Sequence, residues 1–235
     1  MLEYGKLEVV DADGRKLASH FEVPSPDRIR LVVDDADATY PIVIDPLLTG
    51  AFDAVVESNQ VTTEFGVSVA SAGDVNRDGY DDVLVGADLY DAGQVDEGAA
   101  FLFLGGPAGI GNGNPLTAAA VLEGNQASAS FGAGVASAGD VNGDGYADIV
   151  IGSFLYDAGQ ANEGAAFVFH GSATGIASGG PANANGTVES NQTDARLGLS
   201  VASAGDVNGD GFSDVLAGAY LYDAGQIDEG AAFLL

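Results

Sequence analysis

Three short stretches of the chain hold side-chain oxygens at a spacing that suits a hard metal ion. They are Asp74, Asn76, Asp78, Gly79, Tyr80 and Asp82; Asp140, Asn142, Asp144, Gly145, Tyr146 and Asp148; and Asp206, Asn208, Asp210, Gly211, Phe212 and Asp214. Each reads Asp-x-Asn-x-Asp-Gly-aromatic-x-Asp. Oxygens at positions one, three and five face one point when the chain curls, the glycine at six permits the sharp turn, and position seven offers its carbonyl. The Asp at position nine would close the shell. Donors that are all oxygen, with no His or Cys, select Ca2+ ahead of zinc or copper, and Mg2+ comes second because it keeps more of its water. A solvated turn also uses Asp, Asn and Gly. Against that plainer reading, two carboxylates at about 4 Å repel by roughly 4 kcal/mol at an effective dielectric near 20, and each loop brings three together. The expectation is three Ca2+ sites, each made by the Asp, Asn, Asp and Asp side chains plus the carbonyl of Tyr80, Tyr146 or Phe212.

The loops recur because the sequence itself repeats. The string SVASAGDVNRDGYDDVLVGADLYDAGQVDEGAAF from Ser68 returns from Gly134 and again from Ser200, a step of 66 residues each time. Such a period marks a stacked or closed repeat architecture. Within one period the apolar residues fall in short runs separated by Gly, Asn and Asp, which reads as strands and turns. Strands are placed at Gly66–Ala72, Asp82–Ala87, Ala99–Leu104 and Ala118–Leu122. The continuous run Val83-Leu84-Val85 suits a strand buried on both faces. The fold class is therefore all-β, with propeller blades of four antiparallel strands. Repeats are assigned to about 49–114, 115–180 and 181–235. Residues 1–48 lie outside the period and alternate as a β meander of about four strands.

The carboxylates outnumber the cationic residues 35 to 7, for a formal charge of −28. That excludes a phosphate-gripping surface, so neither nucleic acid nor membrane is an expected partner. With 46% hydrophobic residues and a mean hydropathy of +0.16, the chain is not a disordered polyanion. There is no cysteine, hence no disulfide framework and no thiolate metal site. Residues 1–10 lack the pattern of a signal peptide, so a secreted protein would be represented here by a mature form or an excised piece. His20 and His170 are the only histidines and lie outside the loops, and no nucleophile elbow or phosphate-binding glycine loop is present.

Two further strings repeat. Tyr90-Asp-Ala-Gly-Gln94 with Glu97-Gly98, mirrored at 156–164 and 222–230, reads as a fixed turn with its Tyr packed between blades. The Glu-x-Asn-Gln strings at 57–60, 123–126 and 189–192 read as hydrogen-bonding to a neighbouring blade.

These residues resemble FG-GAP repeats, the blades of the integrin α-subunit propeller and of many bacterial secreted proteins. The Phe-Gly signature stands at Phe65-Gly66 and Phe131-Gly132 and becomes Leu197-Gly198 in the third copy. The Gly-Ala-Pro signature is present only as Gly86-Ala-Asp88, Gly152-Ser-Phe154 and Gly218-Ala-Tyr220. The resemblance covers about 49–235 and implies a Ca2+-stabilised, extracellular or cell-surface propeller of bacterial type that meets a protein or glycan ligand. A propeller-type hydrolase or an accessory domain of a secreted enzyme is the alternative. Because the polar residues singled out repeat threefold whereas catalysis breaks symmetry, a non-enzymatic scaffold is expected. Three repeats fall short of a closed ring, and two readings follow: a homo-oligomer completes it, with a strand at Ala51–Glu57 serving the third blade of a neighbouring molecule, or the parent protein continues and this piece is an open arc.

Overall fold

A computed structural model describes residues 7–25, 28–46 and 54–235 of the chain. It divides into two compact units, Met1–Asp53 and Ala54–Leu235. In the first, β1 (Leu7–Val10) pairs antiparallel with β4 (Val43–Pro46), and β2 (Ser19–Ser25) pairs with β3 (Arg28–Val33). The four strands expected of this segment are present, but their pairing is nested instead of running neighbour to neighbour. Asp11 supplies the cause. Its buried carboxylate accepts the N–H groups of Asp13, Arg15 and Thr39 at 3.1, 2.8 and 3.4 Å and pairs with the Arg15 guanidinium at 3.2 Å. Residue 39 is thereby drawn back to the end of β1, and the chain that follows runs beside it.

In the second unit three antiparallel sheets follow one another. β5 (Ser68–Gly73), β6 (Asp82–Ala87), β7 (Ala99–Phe103) and β8 (Ala120–Glu123) form the first in chain order. β9 (Phe131–Gly139), β10 (Asp148–Ser153), β11 (Ala165–Phe169) and β12 (Gly186–Glu189) form the second, and β13 (Leu197–Gly205), β14 (Asp214–Ala219) and β15 (Ala231–Leu234) the third. Serially paired four-stranded sheets are propeller blades. The only helix among the described residues is one 3-10 turn at Pro181–Asn183. Of the expected Ala51–Glu57 strand, residues 51–53 lie outside the described residues. The remainder makes a single parallel bridge from Val56 to Gly113 instead of a strand, as Leu122 of β8 does to Gly179 one period later.

Blades bury their apolar residues against the next blade. Leu84, Leu102 and Leu122 of the first share a cluster with Ile149, Ile151 and Phe167 of the second. Val150 and Ala166 of the second share another with Val215 and Ala217 of the third. One repeat position makes the dependence plain: Leu84 and Val150 are fully buried, whereas their equivalent Leu216 is 37% exposed. The backbones also meet. A Cβ on Gly86 would lie 1.9 Å from the Gly132 carbonyl oxygen, and one on Gly152 would lie 1.7 Å from that of Gly198. No side chain fits where the Phe-Gly or Leu-Gly corner of one blade crosses the second strand of the blade before it.

Candidate metal centres

Each Asp/Asn loop spans the turn from the first to the second strand of its blade, so the sheet fixes both ends. Inside it, the first Asp organises the curl. Asp74 accepts Asp78 N–H at 3.0 Å on Oδ1 and Gly79 N–H at 2.8 Å on Oδ2. Asp140 and Asp206 do the same toward Asp144 and Gly145, and toward Asp210 and Gly211, at 2.9–3.1 Å. The Asn at position three accepts the same N–H at position five, at 3.0, 2.9 and 2.8 Å for Asn76, Asn142 and Asn208. The third residue of the set, Asp78, Asp144 or Asp210, accepts the N–H of Tyr80, Tyr146 or Phe212 at 2.9–3.0 Å. Side chains at one, three and five are thus gathered over one turn of backbone, and the three copies repeat the pattern closely.

The Asp at position nine is placed differently. Asp82 and Asp148 are fully buried, and both carboxylate oxygens are engaged. Asp82 accepts Val75 N–H at 2.9 Å and Gly105 N–H at 2.8 Å, and Asp148 accepts Val141 and Gly171 N–H at the same distances. Asp214 holds Val207 N–H at 2.8 Å. This residue locks the loop onto the sheet. Burial pushes the Asp82 carboxyl above the usual carboxylate range, and the nearby Asp78 and Asp74 charges push the same way, against the two backbone donors. Asp148 is raised likewise, chiefly by burial, with Asp144 adding to it. Among the described residues, no three acidic or histidine side chains converge on one metal-sized point as they stand. The donor set is all oxygen, and although Asp140 Oδ1 and Asp206 Oδ1 each already accept two N–H groups, every loop keeps oxygens with a lone pair to spare, which fits a hard cation.

Adjacent loops touch. The N–H groups of Ala147 and Ser213 donate to the Asp74 and Asp140 carbonyls at 3.1 and 2.9 Å, so each loop is stapled to the next at the backbone.

The opposite ends of the blades carry the connection expected of the Glu-x-Asn-Gln strings, and its acceptor is the Glu of the repeated turn, a partner the sequence did not single out. Glu97 and Glu163 are fully buried carboxylates. Glu97 accepts Ala92 and Gln94 N–H in its own turn and Asn125 N–H from the approach to the second blade, at 2.9, 3.0 and 2.8 Å. Glu163 repeats this with Ala158, Gln160 and Asn191. The Asn of the second and third Glu-x-Asn-Gln strings therefore does meet a neighbouring blade, through its backbone. Its Gln clamps the turn of the blade that follows: the Gln126 amide donates to the Asp157 carbonyl at 3.0 Å and accepts Asp157 N–H at 2.7 Å. Tyr90, Tyr156 and Tyr222 pack edge-on against Phe101, Phe167 and Phe233 of their own blades, with centroids 5.1–5.3 Å apart. The signal for the latch was a Glu at fixed offset before the apolar run Gly-Ala-Ala-Phe, an unlikely neighbour for a solvated charge.

Blades in series, each with an oxygen-rich loop between its first two strands, define the propeller repeat class. Residues 65–103, 131–169 and 197–233 match the FG-GAP repeat, and the chain is an FG-GAP repeat protein. It is similar to Integrin alpha-5 of Xenopus laevis, 36% identical over 169 residues, which is 70% of this chain and 15% of that protein. It is also similar to Integrin alpha-PS2 of Drosophila melanogaster, 32% identical over 180 residues, 72% of this chain and 12% of that protein. Human Integrin alpha-IIb is 34% identical over 173 residues, 70% and 16% respectively. The chain thus spans less than a fifth of the length of the relatives it matches. Among the described residues no helix is long and apolar enough to cross a membrane.

Proposed function

We propose that this chain is a calcium-binding propeller module that works outside the cell as a scaffold or an adhesive, ligand-binding surface, and that it is not an enzyme. The observation that carries the reading is the threefold recurrence of one oxygen-donor loop, with the same internal hydrogen bonds each time, at the same turn of each blade. Asp74, Asn76 and Asp78, with the Tyr80 carbonyl and the free lone pairs of Asp82, would hold the ion in the first loop. The sets beginning at Asp140 and Asp206 would hold it in the others. A divalent cation supplies there the positive charge that offsets the crowded carboxylates, and it ties the loop to the sheet. Similarity to integrin alpha chains supports an adhesive role with a protein or glycan ligand, and a place at the cell surface or in the medium. Isothermal titration with Ca2+ tests the reading: saturable binding at three sites, lost in part with Asp78→Ala, is expected. The absence of any binding heat, with melting curves identical in calcium and in EDTA, overturns it.

The same reading extends to self-association. Leu216 and Leu234 of the third blade and Val69 of the first are 37%, 53% and 66% exposed at positions whose equivalents lie between blades. A second copy stacked end to end would cover them as the internal boundaries do. Light scattering in millimolar calcium that finds monomer alone at high concentration removes this part.

A further inference from the structure

Between residues 54 and 235 the cationic residues are Arg77 and Arg196 alone. Arg77 occupies position four of the first loop, where the second and third have Gly143 and Gly209. Its φ is 59°, in the left-handed region that those glycines also adopt at 74° and 76°. A long side chain there costs on the order of 1 kcal/mol that glycine does not. What the arginine does with its position is visible on the next loop. Its guanidinium lies across the turn of the second loop, with Nη1 2.7 Å and Cζ 3.2 Å from where a Cβ on Gly145 would stand. The equivalent glycines, Gly79 and Gly211, have nothing within 4 Å of that point. The Ala147 N–H bond to the Asp74 carbonyl holds the two loops at this range. Among the described residues Arg77 forms no ion pair, so its charge is not cancelled before it reaches the second loop.

We propose that Arg77 sets the cation affinity of the second loop, weakening it relative to the third, so that the loops fill in a fixed order. This rests on the calcium reading above and goes beyond it, since that reading treats the three loops as equals. The physical ground is direct. A guanidinium lying across the Gly145 turn adds positive potential to the second loop, which offsets part of the repulsion among its carboxylates without any metal and repels a divalent ion that comes to do the same. Near the surface, at a separation of about 10 Å in a water-like dielectric, the effect amounts to roughly three- to fivefold in affinity and fades as salt screens it.

The sequence offers a way to watch one loop. Position seven is Tyr80, Tyr146 and Phe212 in the three copies. In a Tyr80→Phe background, Tyr146 is the remaining loop tyrosine, and terbium luminescence excited through tyrosine then reports the second loop. Terbium is titrated at low ionic strength into this protein with Arg77 intact and with Arg77→Gln, Arg77→Gly and Arg77→Lys. Because terbium is trivalent, the gap is wider than for a divalent ion: the Gln and Gly variants are expected to bind about five- to tenfold more tightly at the second loop, the Lys variant to stay near the parent, and the gap to close in about 0.5 M salt. Luminescence with equal midpoints for Arg77 and Arg77→Gln overturns this proposal and leaves the calcium reading standing. No luminescence, together with no heat on titrating Ca2+, overturns both.

Discussion

The Glu97 carboxylate accepts the N–H of Asn125 at 2.8 Å, across the boundary between the first and second blades. It is a carboxyl group at zero exposure, held by backbone N–H dipoles. Such a group organises two segments at once, because donors from both sides of the boundary share its two oxygens.

Replacing Glu97 with Ala removes the acceptor that three N–H groups share and empties a fully buried side-chain site, and the expected loss is about 2–3 kcal/mol of unfolding free energy. Glu229, the equivalent in the third copy, is exposed and holds only Gln226 N–H at 3.2 Å. Glu229→Ala is expected to stay within about 0.5 kcal/mol of the parent. Denaturant unfolding of the two variants side by side decides the matter, and equal losses would remove the latch.

Gly152→Ala places a methyl 1.7 Å from the Gly198 carbonyl oxygen, so the second and third blades must separate to admit it. The expected cost is at least about 3 kcal/mol, beyond ordinary overpacking. Gly218→Ala meets nothing nearer than 3.7 Å and is expected to be neutral or slightly stabilising. Thermal melts of both variants provide the comparison.

On the calcium reading proposed above, the ion at a hundred times its Kd would stabilise the folded state by about 2.7 kcal/mol for each site it fills. Asp144→Ala is expected to remove most of one such share while leaving the EDTA melting curve nearly unchanged. A variant equally weakened with and without calcium would assign Asp144 to packing alone.

Asp88 is buried, with Oδ1 lacking any hydrogen-bond partner, and burial first, then the Glu64 and Asp96 charges, raise its carboxyl above the usual range. Between the unfolded and folded pKa values the native state binds the extra proton, so stability from this group is full at acid pH and is lost as pH rises through the folded value. Asp88→Asn is therefore expected to stabilise the protein at pH 7, by an amount that shrinks toward the acid limit. Equal denaturation midpoints at pH 7 would count against it. Asp11 has the opposite sign: although burial raises it, the Arg15, Thr39 and Asp13 N–H groups and the Arg15 guanidinium hold it low, and its contribution is lost as pH falls.

Much of this was legible from residue order alone, and the reasons are specific. Strand β6 spans Asp82–Ala87 as its Val-Leu-Val run and flanking Asp and Gly require. The first strand begins at Ser68 instead of Gly66, whereas its equivalents β9 and β13 start at Phe131 and Leu197 and run through the matching glycines, a difference that the near-identical repeats do not announce. Loop spacing brought positions one, three and five together, but the ninth residue faces backbone donors at Val75 and Gly105, and Gly105 lies 23 residues away in a different turn. No local pattern contains that partnership. Nested pairing in the first unit was equally hidden, since it depends on Thr39 returning to Asp11 across 28 residues.

The crossing of Gly86 by Gly132 is made again by Gly152 and Gly198, so the boundaries between units are interchangeable parts. A gene that gains or loses one whole period of 66 codons creates no new kind of junction, because each blade meets its neighbours through the surfaces it already had. An exchange between copies out of register with that period brings a side chain to the crossing or separates the latch from its turn. Unequal recombination between copies is thus filtered by sterics: the products that fold are those that change length in whole blades.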